Sequence, residues 1–138
     1  MLDSQYVKHF AWDEGKNERL KIERGIGFEE VVFHIKSGDL LDILHHPNQE
    51  RYANQRIFVV RGDEYVFLVP AVEDDLVVFS KTIIPSRKAT KQYLGQETEA
   101  MMKLDRDEDE LLKSVERGEW RSVGVTKREQ RRYGRYAE

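Results

Sequence analysis

The chain has 138 residues, carries 23 Lys and Arg against 26 Asp and Glu, and contains no cysteine. This length suits one domain or a small domain with an appendage, and the lack of cysteine excludes disulfides, cysteine-ligated zinc and a thiol nucleophile. The net charge of −3 argues against nucleic acid as a partner of the chain as a whole, and the absence of a long apolar run or signal-peptide pattern predicts a soluble, cytoplasmic protein.

The first third of the chain predicts a short strand and two helices. Residues 6–12 alternate weakly and are rich in aromatic side chains, which is typical of a strand. Asp13 and Gly25 bracket a polar segment, because Asp can accept N–H groups at a helix start and Gly can adopt the left-handed conformation at its end. Apolar residues then recur at helical spacing in Phe28–Lys36, with Gly38 as the stop.

Apolar runs separated by short polar loops predict a sheet in the middle of the chain. The runs occupy residues 40–44, 56–61, 65–69 and 76–84. Ser86 is a suitable N-cap for a short helix over Arg87–Leu94. Two helices followed by hairpin-connected strands indicate an α+β domain with a small antiparallel sheet and a short C-terminal helix.

A second organised segment follows a polar stretch at residues 95–102, which we interpret as a linker. Asp105 and Glu108 have the spacing of a capping box, and Thr126 starts a second, basic helix. The apolar stripe of the first of these helices consists of Leu104, Leu111, Leu112 and Val115. Such a stripe cannot form a core alone, so we expect a mainly helical tail that packs on the preceding domain or on a partner chain.

Charge alternates in blocks along the same part of the chain. Residues 76–96 contain four bases and no acid, residues 97–119 have a net charge of −5, and residues 120–138 have a net charge of +4. Neighbouring blocks of opposite sign predict that the tail screens a basic surface of the first domain. The bases at the end of the tail could contact nucleic acid, or they form a solvated helix face.

One candidate for chemistry is the basic segment from Lys81 to Lys91. The first N–H groups of the helix after Ser86 lack helical partners and point outward beside Arg87 and Lys88. A helix start with cationic side chains suits a phosphodiester, since an arginine can stabilise negative charge with two parallel hydrogen bonds. The alternative is a solvated basic face without a ligand.

A second candidate is the long connection after the first predicted sheet strand. It contains His45, His46, Glu50, Arg51 and Tyr52. Histidine can accept or donate a proton at neutral pH, as RNA cleavage at a 2′-hydroxyl requires. Alternatively, the loop is a polar connection that anchors a turn. The histidines lack the spacing of a metal site, so we expect neither a metal nor a cofactor.

Three short motifs occur in fixed order along residues 6–94. They are Phe10-Ala11-Trp12-Asp13 with Lys16-Asn17, then Gly25-Ile26-Gly27-Phe28-Glu29-Glu30, and then Ile83-Ile84-Pro85-Ser86-Arg87-Lys88-Ala89-Thr90. Together they resemble the BrnT-type ribonuclease toxins of bacterial type II toxin–antitoxin systems. The resemblance implies a RelE-like fold and cleavage of an RNA substrate without a metal, leaving a 2′,3′-cyclic phosphate.

The resemblance also implies roles for individual residues. The candidates for catalysis are Arg87, Arg51, His46 and Lys81. The expected RNA phosphate-binding residues are Ser86, Lys88 and Lys91. The sequence departs from the family pattern at Pro70, where many members have His or Tyr, and at Thr82, where many have Arg. If catalysis is retained, Lys81, His46 or Lys91 would have to replace those groups.

The tail resembles the N-terminal part of antitoxins encoded beside such toxins, over residues 102–112 and 116–123. This implies a toxin domain at 1–94, a linker at 95–102 and a neutralising segment at 103–138. The residues expected to inhibit are Asp107, Glu108, Asp109 and Trp120. Those antitoxins continue into a ribbon-helix-helix module that the sequence lacks, so DNA binding by this chain alone is not expected.

The expected function is an endoribonuclease toxin that its own antitoxin segment holds inactive. The segment would cover the basic RNA-binding surface within one chain, or swap between the chains of a homo-oligomer. The alternative is a non-catalytic interaction module that binds RNA or a protein partner.

Overall fold

The computed structural model describes residues 8–95 and 103–137. The start of the predicted strand at 6–12 and most of the predicted linker at 95–102 lie outside the described residues. We call residues 8–95 the body and residues 103–137 the tail. The elements are β1 (His9–Ala11), α1 (Glu14–Arg24), α2 (Phe28–Lys36), β2 (Leu40–His45), β3 (Gln55–Arg61), β4 (Val66–Glu73), β5 (Val77–Ser80), β6 (Ile84–Pro85), α3 (Arg87–Leu94), α4 (Arg106–Glu116), β7 (Arg121–Ser122) and α5 (Lys127–Tyr136).

A seven-stranded sheet organises the chain in the order β1-β5-β4-β3-β2-β7, with β6 paired to β4. β1 runs parallel to β5, whereas the other strand pairs are antiparallel. The sheet is therefore mixed, and the prediction of an antiparallel sheet was wrong at this edge. A parallel pair needs a long connection, which the helices and strands between β1 and β5 provide. The α+β class is confirmed.

The last predicted strand, residues 76–84, is interrupted in the structure. β5 and β6 are separated by residues 81–83, and β4 pairs with β6 at one end and with β5 at the other. Between these pairings, Pro70 has no N–H to donate, and its carbonyl accepts the N–H of Lys81 at 2.8 Å. The sequence pattern does not reveal the break, because Thr82 and Ile83 are buried as strand residues would be.

The helices α1, α2 and α5 cover one face of the sheet. The core on this face includes Leu20, Phe28, Ile35, Phe58 and Tyr133. Asn17 joins the two N-terminal helices, since its side-chain oxygen accepts the N–H of Phe28 at 2.7 Å. Asp13 precedes α1 as predicted, but its side chain makes no capping hydrogen bond.

The opposite face carries α3 and α4. The predicted stripe of α4 packs there against strand residues that include Ile57, Val59 and Leu68. After α4 the tail passes around the edge of the sheet, where β7 pairs with β2, and α5 then lies beside α2 on the first face. The tail therefore packs on both faces of the sheet of its own chain. None of the helices in the described ranges has the length and apolar character needed to cross a membrane.

Candidate functional site

A cleft of about 380 Å³ opens beside the break between β5 and β6, and we call it the candidate cleft. Its polar and aromatic lining from the body includes Lys16, Arg56, Lys81 and Thr82. Its lining from the tail includes Asp105, Asp107, Glu108 and Trp120. The body thus supplies the cations and the tail supplies the carboxylates. Of the basic block predicted to face the tail, only Lys81 lines the cleft, and the other body cations of the lining, Lys16 and Arg56, come from α1 and β3.

A buried ion pair joins the tail to the body at the cleft. The guanidinium of Arg24 donates from Nη1 to Oε2 of Glu108 and from Nη2 to Oε1, both at 2.6 Å. The hydroxyl of Thr82 donates to Oε2 of the same carboxylate at 2.5 Å. Lys16 adds an ammonium group whose nitrogen lies 4.0 Å from Oε2. One carboxylate is therefore enclosed by a guanidinium, a hydroxyl and an ammonium group.

Arg24 is held in place by further hydrogen bonds. It is the last residue of α1, and its Nη1 also donates to the carbonyl oxygen of Ile83 at 2.9 Å. Its Nη2 donates to the carbonyl oxygen of Lys103 at 3.0 Å. The Nε atom is buried and has no hydrogen-bond partner within the described part of the chain. Arg24 thus fixes the start of the tail against the segment that separates β5 from β6.

The charge state of Glu108 follows from two opposing influences. Burial is the largest single influence and on its own would raise the pKa of this carboxyl. The hydrogen bonds from Arg24, Thr82 and the N–H of Asp105, with the charge of Arg24, outweigh burial and lower the pKa to about 2. The hydrogen bond to Glu108 raises the pKa of Arg24 in turn. Both groups are therefore charged at neutral pH.

His46 and Arg51 lie at a second point of contact with the tail. The His46 ring stacks on Tyr52 with centroids 3.9 Å apart and meets the Trp120 ring edge-on at 5.1 Å. The guanidinium carbon of Arg51 lies 5.5 Å from the centroid of the Tyr52 ring. Nδ1 of His46 accepts the N–H of Asn48 at 3.0 Å, so Nε2 carries the proton of the neutral ring. Because Trp120 also lines the candidate cleft, it separates His46 from that cleft.

The residues predicted to bind phosphate lie at the start of α3. Ser86 is buried, and its hydroxyl oxygen accepts the N–H of Ala89 at 3.1 Å. The exposed cations of this helix are Arg87, Lys88 and Lys91. Nζ of Lys88 donates to the carbonyl oxygen of Glu116 at 3.4 Å, at the C-terminal end of α4. The helix α4 therefore extends from the candidate cleft to the first turn of α3.

The acidic residues predicted to inhibit have different surroundings. Glu108 is buried against Arg24, whereas Asp107 is exposed on the wall of the cleft. Asp109 pairs with Lys113 of its own helix at 2.9 Å. Only part of the acidic run is therefore directed at the body, and the rest is a solvated helix face.

Trp120 is buried beside α4 in the core of the second face. Its Nε1 donates to the hydroxyl oxygen of Ser114 at 3.0 Å, which satisfies the polar edge of the indole. Its ring contacts His46, as described above, and meets the Tyr52 ring edge-on with centroids 5.5 Å apart. The single side chain thus connects α4 to the loop that carries two of the predicted catalytic residues.

Arg24 is the residue that the sequence analysis missed. The charge blocks pointed to Lys81–Lys91 as the partner of the acidic tail, but the buried pair uses an arginine from α1. A signal was available, because Arg24 follows Leu20 by four residues and therefore shares the buried face of α1. An arginine on a buried helix face needs an anionic partner, which the sequence alone does not identify.

No family model, curated protein or solved structure matches this chain. Function must therefore be inferred from the candidate cleft and from the contacts that the tail makes around it. Within residues 8–95 and 103–137, no group of three or more His, Asp and Glu side chains is placed to hold a metal ion.

Proposed function

We propose that residues 1–94 are a metal-independent endoribonuclease toxin of the BrnT type, with a RelE-like arrangement, and that residues 103–138 hold it inactive. The observation that carries the proposal is the enclosure of Glu108 by Arg24, Thr82 and Lys16. A forked guanidinium, a hydroxyl and an ammonium group are also the donors that bind phosphate oxygens. We infer that Glu108 occupies the position of an RNA phosphate.

The remaining side chains of the cleft suit the chemistry of RNA cleavage. The 2′-hydroxyl oxygen attacks the adjacent phosphorus, its proton passes to a base, and an acid protonates the 5′-oxygen that leaves. The product strand retains a 2′,3′-cyclic phosphate. Lys81 would stabilise the charge that develops on the phosphate. His46 would accept the 2′-hydroxyl proton and return a proton to the leaving 5′-oxygen once its Nδ1 is freed from the N–H of Asn48.

The tail covers each part of this arrangement. Glu108 fills the cation pocket, Trp120 separates His46 from the cleft, and the end of α4 contacts Lys88. Displacement of the tail would join the cleft, the His46–Tyr52 stack and the start of α3 into one open surface. Such a surface offers phosphate ligands beside aromatic rings on which bases can stack.

The test is RNA cleavage by the full chain with the substitution Glu108→Lys. A lysine at this position repels Arg24 and Lys16, so α4 should detach and cleavage should appear, with 2′,3′-cyclic phosphate ends. Asp109→Lys is the matched control, because it makes the same charge change one residue along the helix at a solvated position. The control should remain inactive.

Further substitutions, each combined with Glu108→Lys, identify the residues that act on RNA. Lys81→Ala, His46→Ala or Arg87→Ala should each lower the cleavage rate by about 10²–10³-fold if the residue acts in the transition state. A Glu108→Lys chain that is folded, has a protease-sensitive tail and cleaves no RNA would contradict the enzymatic proposal.

A non-catalytic RNA-binding module is the second candidate. It is favoured by the lining of the candidate cleft, where the described residues include no histidine and where Pro70 and Thr82 replace the family's usual groups. In that case the released chain should bind RNA with an affinity that falls steeply with salt, but the RNA should stay intact.

A further inference from the structure

A basic groove of about 1030 Å³ lies between α5 and the C-terminal end of α2. It is on the face of the sheet opposite the candidate cleft, because α2 and α5 pack in the core of the first face. Its basic side chains are Lys36, Lys127, Arg128, Arg131, Arg132 and Arg135. No acidic residue of the described ranges lines it. The groove therefore concentrates positive charge on a protein whose net charge is −3.

The arginines of the groove form one stripe on α5. Arg128, Arg131 and Arg135 follow one another at helical spacing and lie on the exposed side of the helix. The other side is anchored by Tyr133, which is 2% exposed in the core. Gly134 lies against α2, where an added Cβ would be 3.9 Å from the backbone of Lys36. The body thus fixes the position and direction of the basic stripe.

The cations of the groove differ from the exposed cations of α4. None of the six forms an ion pair within the described residues. On α4, by contrast, Arg106, Lys113 and Arg117 each pair with a carboxylate, at 3.4, 2.9 and 3.0 Å respectively. Arg132 lies over the Tyr133 ring, with its guanidinium carbon 5.1 Å from the ring centroid. Like charges without a paired carboxylate repel one another, so a bound polyanion would stabilise the groove.

We propose that the basic groove binds the phosphodiester backbone of a nucleic acid. α5 has ten residues. It is therefore about 15 Å long, which matches about four phosphate spacings along one strand of a duplex. Four of the six cations are arginines, whose forked donors fit phosphate oxygens. This interaction does not depend on the proposed ribonuclease activity, since it uses the other face of the sheet.

The experiment measures binding of the full chain to fluorescein-labelled single-stranded RNA and, separately, to a DNA duplex by fluorescence anisotropy. The groove variant combines Arg128→Gln, Arg131→Gln and Arg135→Gln. The control combines Arg106→Gln, Lys113→Gln and Arg117→Gln, which changes the net charge equally on the opposite face. With four phosphates contacted, wild-type affinity should fall roughly 150-fold for the duplex and roughly 50-fold for the single strand between about 50 and 200 mM salt, and the groove variant should bind about tenfold more weakly at the lower salt.

Salt-sensitive binding that is lost in the groove variant and retained in the control supports the proposal, and the RNA and DNA arms identify which nucleic acid binds. Absence of binding at low salt, or an equal loss in both triple variants, overturns it. If the groove triple variant unfolds, Arg128→Gln and Arg131→Gln are tested singly, each with an expected weakening of about two- to threefold. Wild-type affinity in both single variants also overturns the proposal.

Discussion

The two helices of the tail are attached to the body by different means. α4 is held by the buried ion pair of Glu108 with Arg24 and by a partly buried apolar stripe. α5 is held by Tyr133, whose ring packs edge-on against Phe58 at 5.1 Å and whose hydroxyl donates to Glu73 at 2.7 Å. A charge pair can be broken by one substitution or by protonation, whereas a buried aromatic ring remains in the core.

If the tail is an inhibitor, as proposed, this difference allows α4 to leave the cleft while α5 stays bound to the body. The end of the tail that covers the candidate cleft is the end that depends on charge, and the end on the opposite face depends on apolar burial. We therefore expect changes at Glu108 to expose the cleft while α5 stays on the body. Substitutions around Tyr133 should weaken the packing of the whole tail on the body without exposing the cleft selectively.

The largest expected effect is that of Glu108→Ala on stability. The substitution leaves the guanidinium of Arg24 buried without its anionic partner, which typically costs about 3–5 kcal/mol. Urea unfolding, followed by circular dichroism, measures the change in the free energy of unfolding. Asp109→Ala should leave that free energy unchanged, because this carboxylate is part of a solvated pair. If Glu108→Ala lowers the free energy of unfolding no more than Asp109→Ala does, the ion pair with Arg24 does not hold the tail.

The second expected effect is a loss of stability in acid. The folded-state pKa of Glu108 is about 2, below its ordinary value of 4.5, so its contribution is complete above about pH 4.5 and is lost as the pH falls towards 2. Glu73 acts in the same direction, since its pKa is also lowered. The loss should be smaller than in Glu108→Ala, because a neutral carboxyl still accepts hydrogen bonds.

Unfolding curves at successive pH values test this effect against the variant Glu108→Gln. The amide retains the shape of the side chain but does not titrate, so the variant should lose less stability than the wild type between about pH 4.5 and 2. Identical acid profiles for the two proteins would rule out the ion pair as the source of the pH dependence.

The smallest expected effect is that of Tyr133→Phe. It removes the hydrogen bond that the hydroxyl donates to Glu73. This carboxylate remains paired with Lys8 at 2.8 Å and with Arg56 at 3.3 Å. We therefore expect the free energy of unfolding to fall by about 1.5 kcal/mol. Tyr136→Phe, on the same helix, serves as the matched control. Tyr133→Phe should cleave no more RNA than the wild type does. RNA cleavage by Tyr133→Phe but not by Glu108→Lys would show that α5, and not α4, holds the body inactive.

The features that the sequence predicts well are those that neighbouring residues determine. Ser86, Asp105 and Thr126 were each predicted as N-caps, and each accepts the N–H three residues later. The helical stripe of α4 likewise predicts that the tail packs on another surface. Capping and amphipathic spacing act within one or two turns, so they can be deduced from a short segment.

The features that the sequence does not reveal depend on contacts between distant residues. Glu108 and Arg24 are 84 positions apart, and the choice of partner depends on where α4 docks. The break between β5 and β6 depends on how β4 shares its hydrogen bonds, and the parallel β1 depends on a sheet edge formed much later in the chain. The candidate cleft arises from these long-range contacts, which is why its residues were identified only in part.

Separate expression of the two parts tests whether the tail inhibits an RNA-cleaving body, as proposed above. Cells that produce residues 1–95 alone should stop growing and accumulate RNA with 2′,3′-cyclic phosphate ends. Production of residues 103–138 from a second gene should restore growth, whereas the same segment with Glu108→Lys should not. A body that is soluble, unfolds cooperatively and leaves both RNA and growth unaffected would show that it is not an RNA-cleaving toxin.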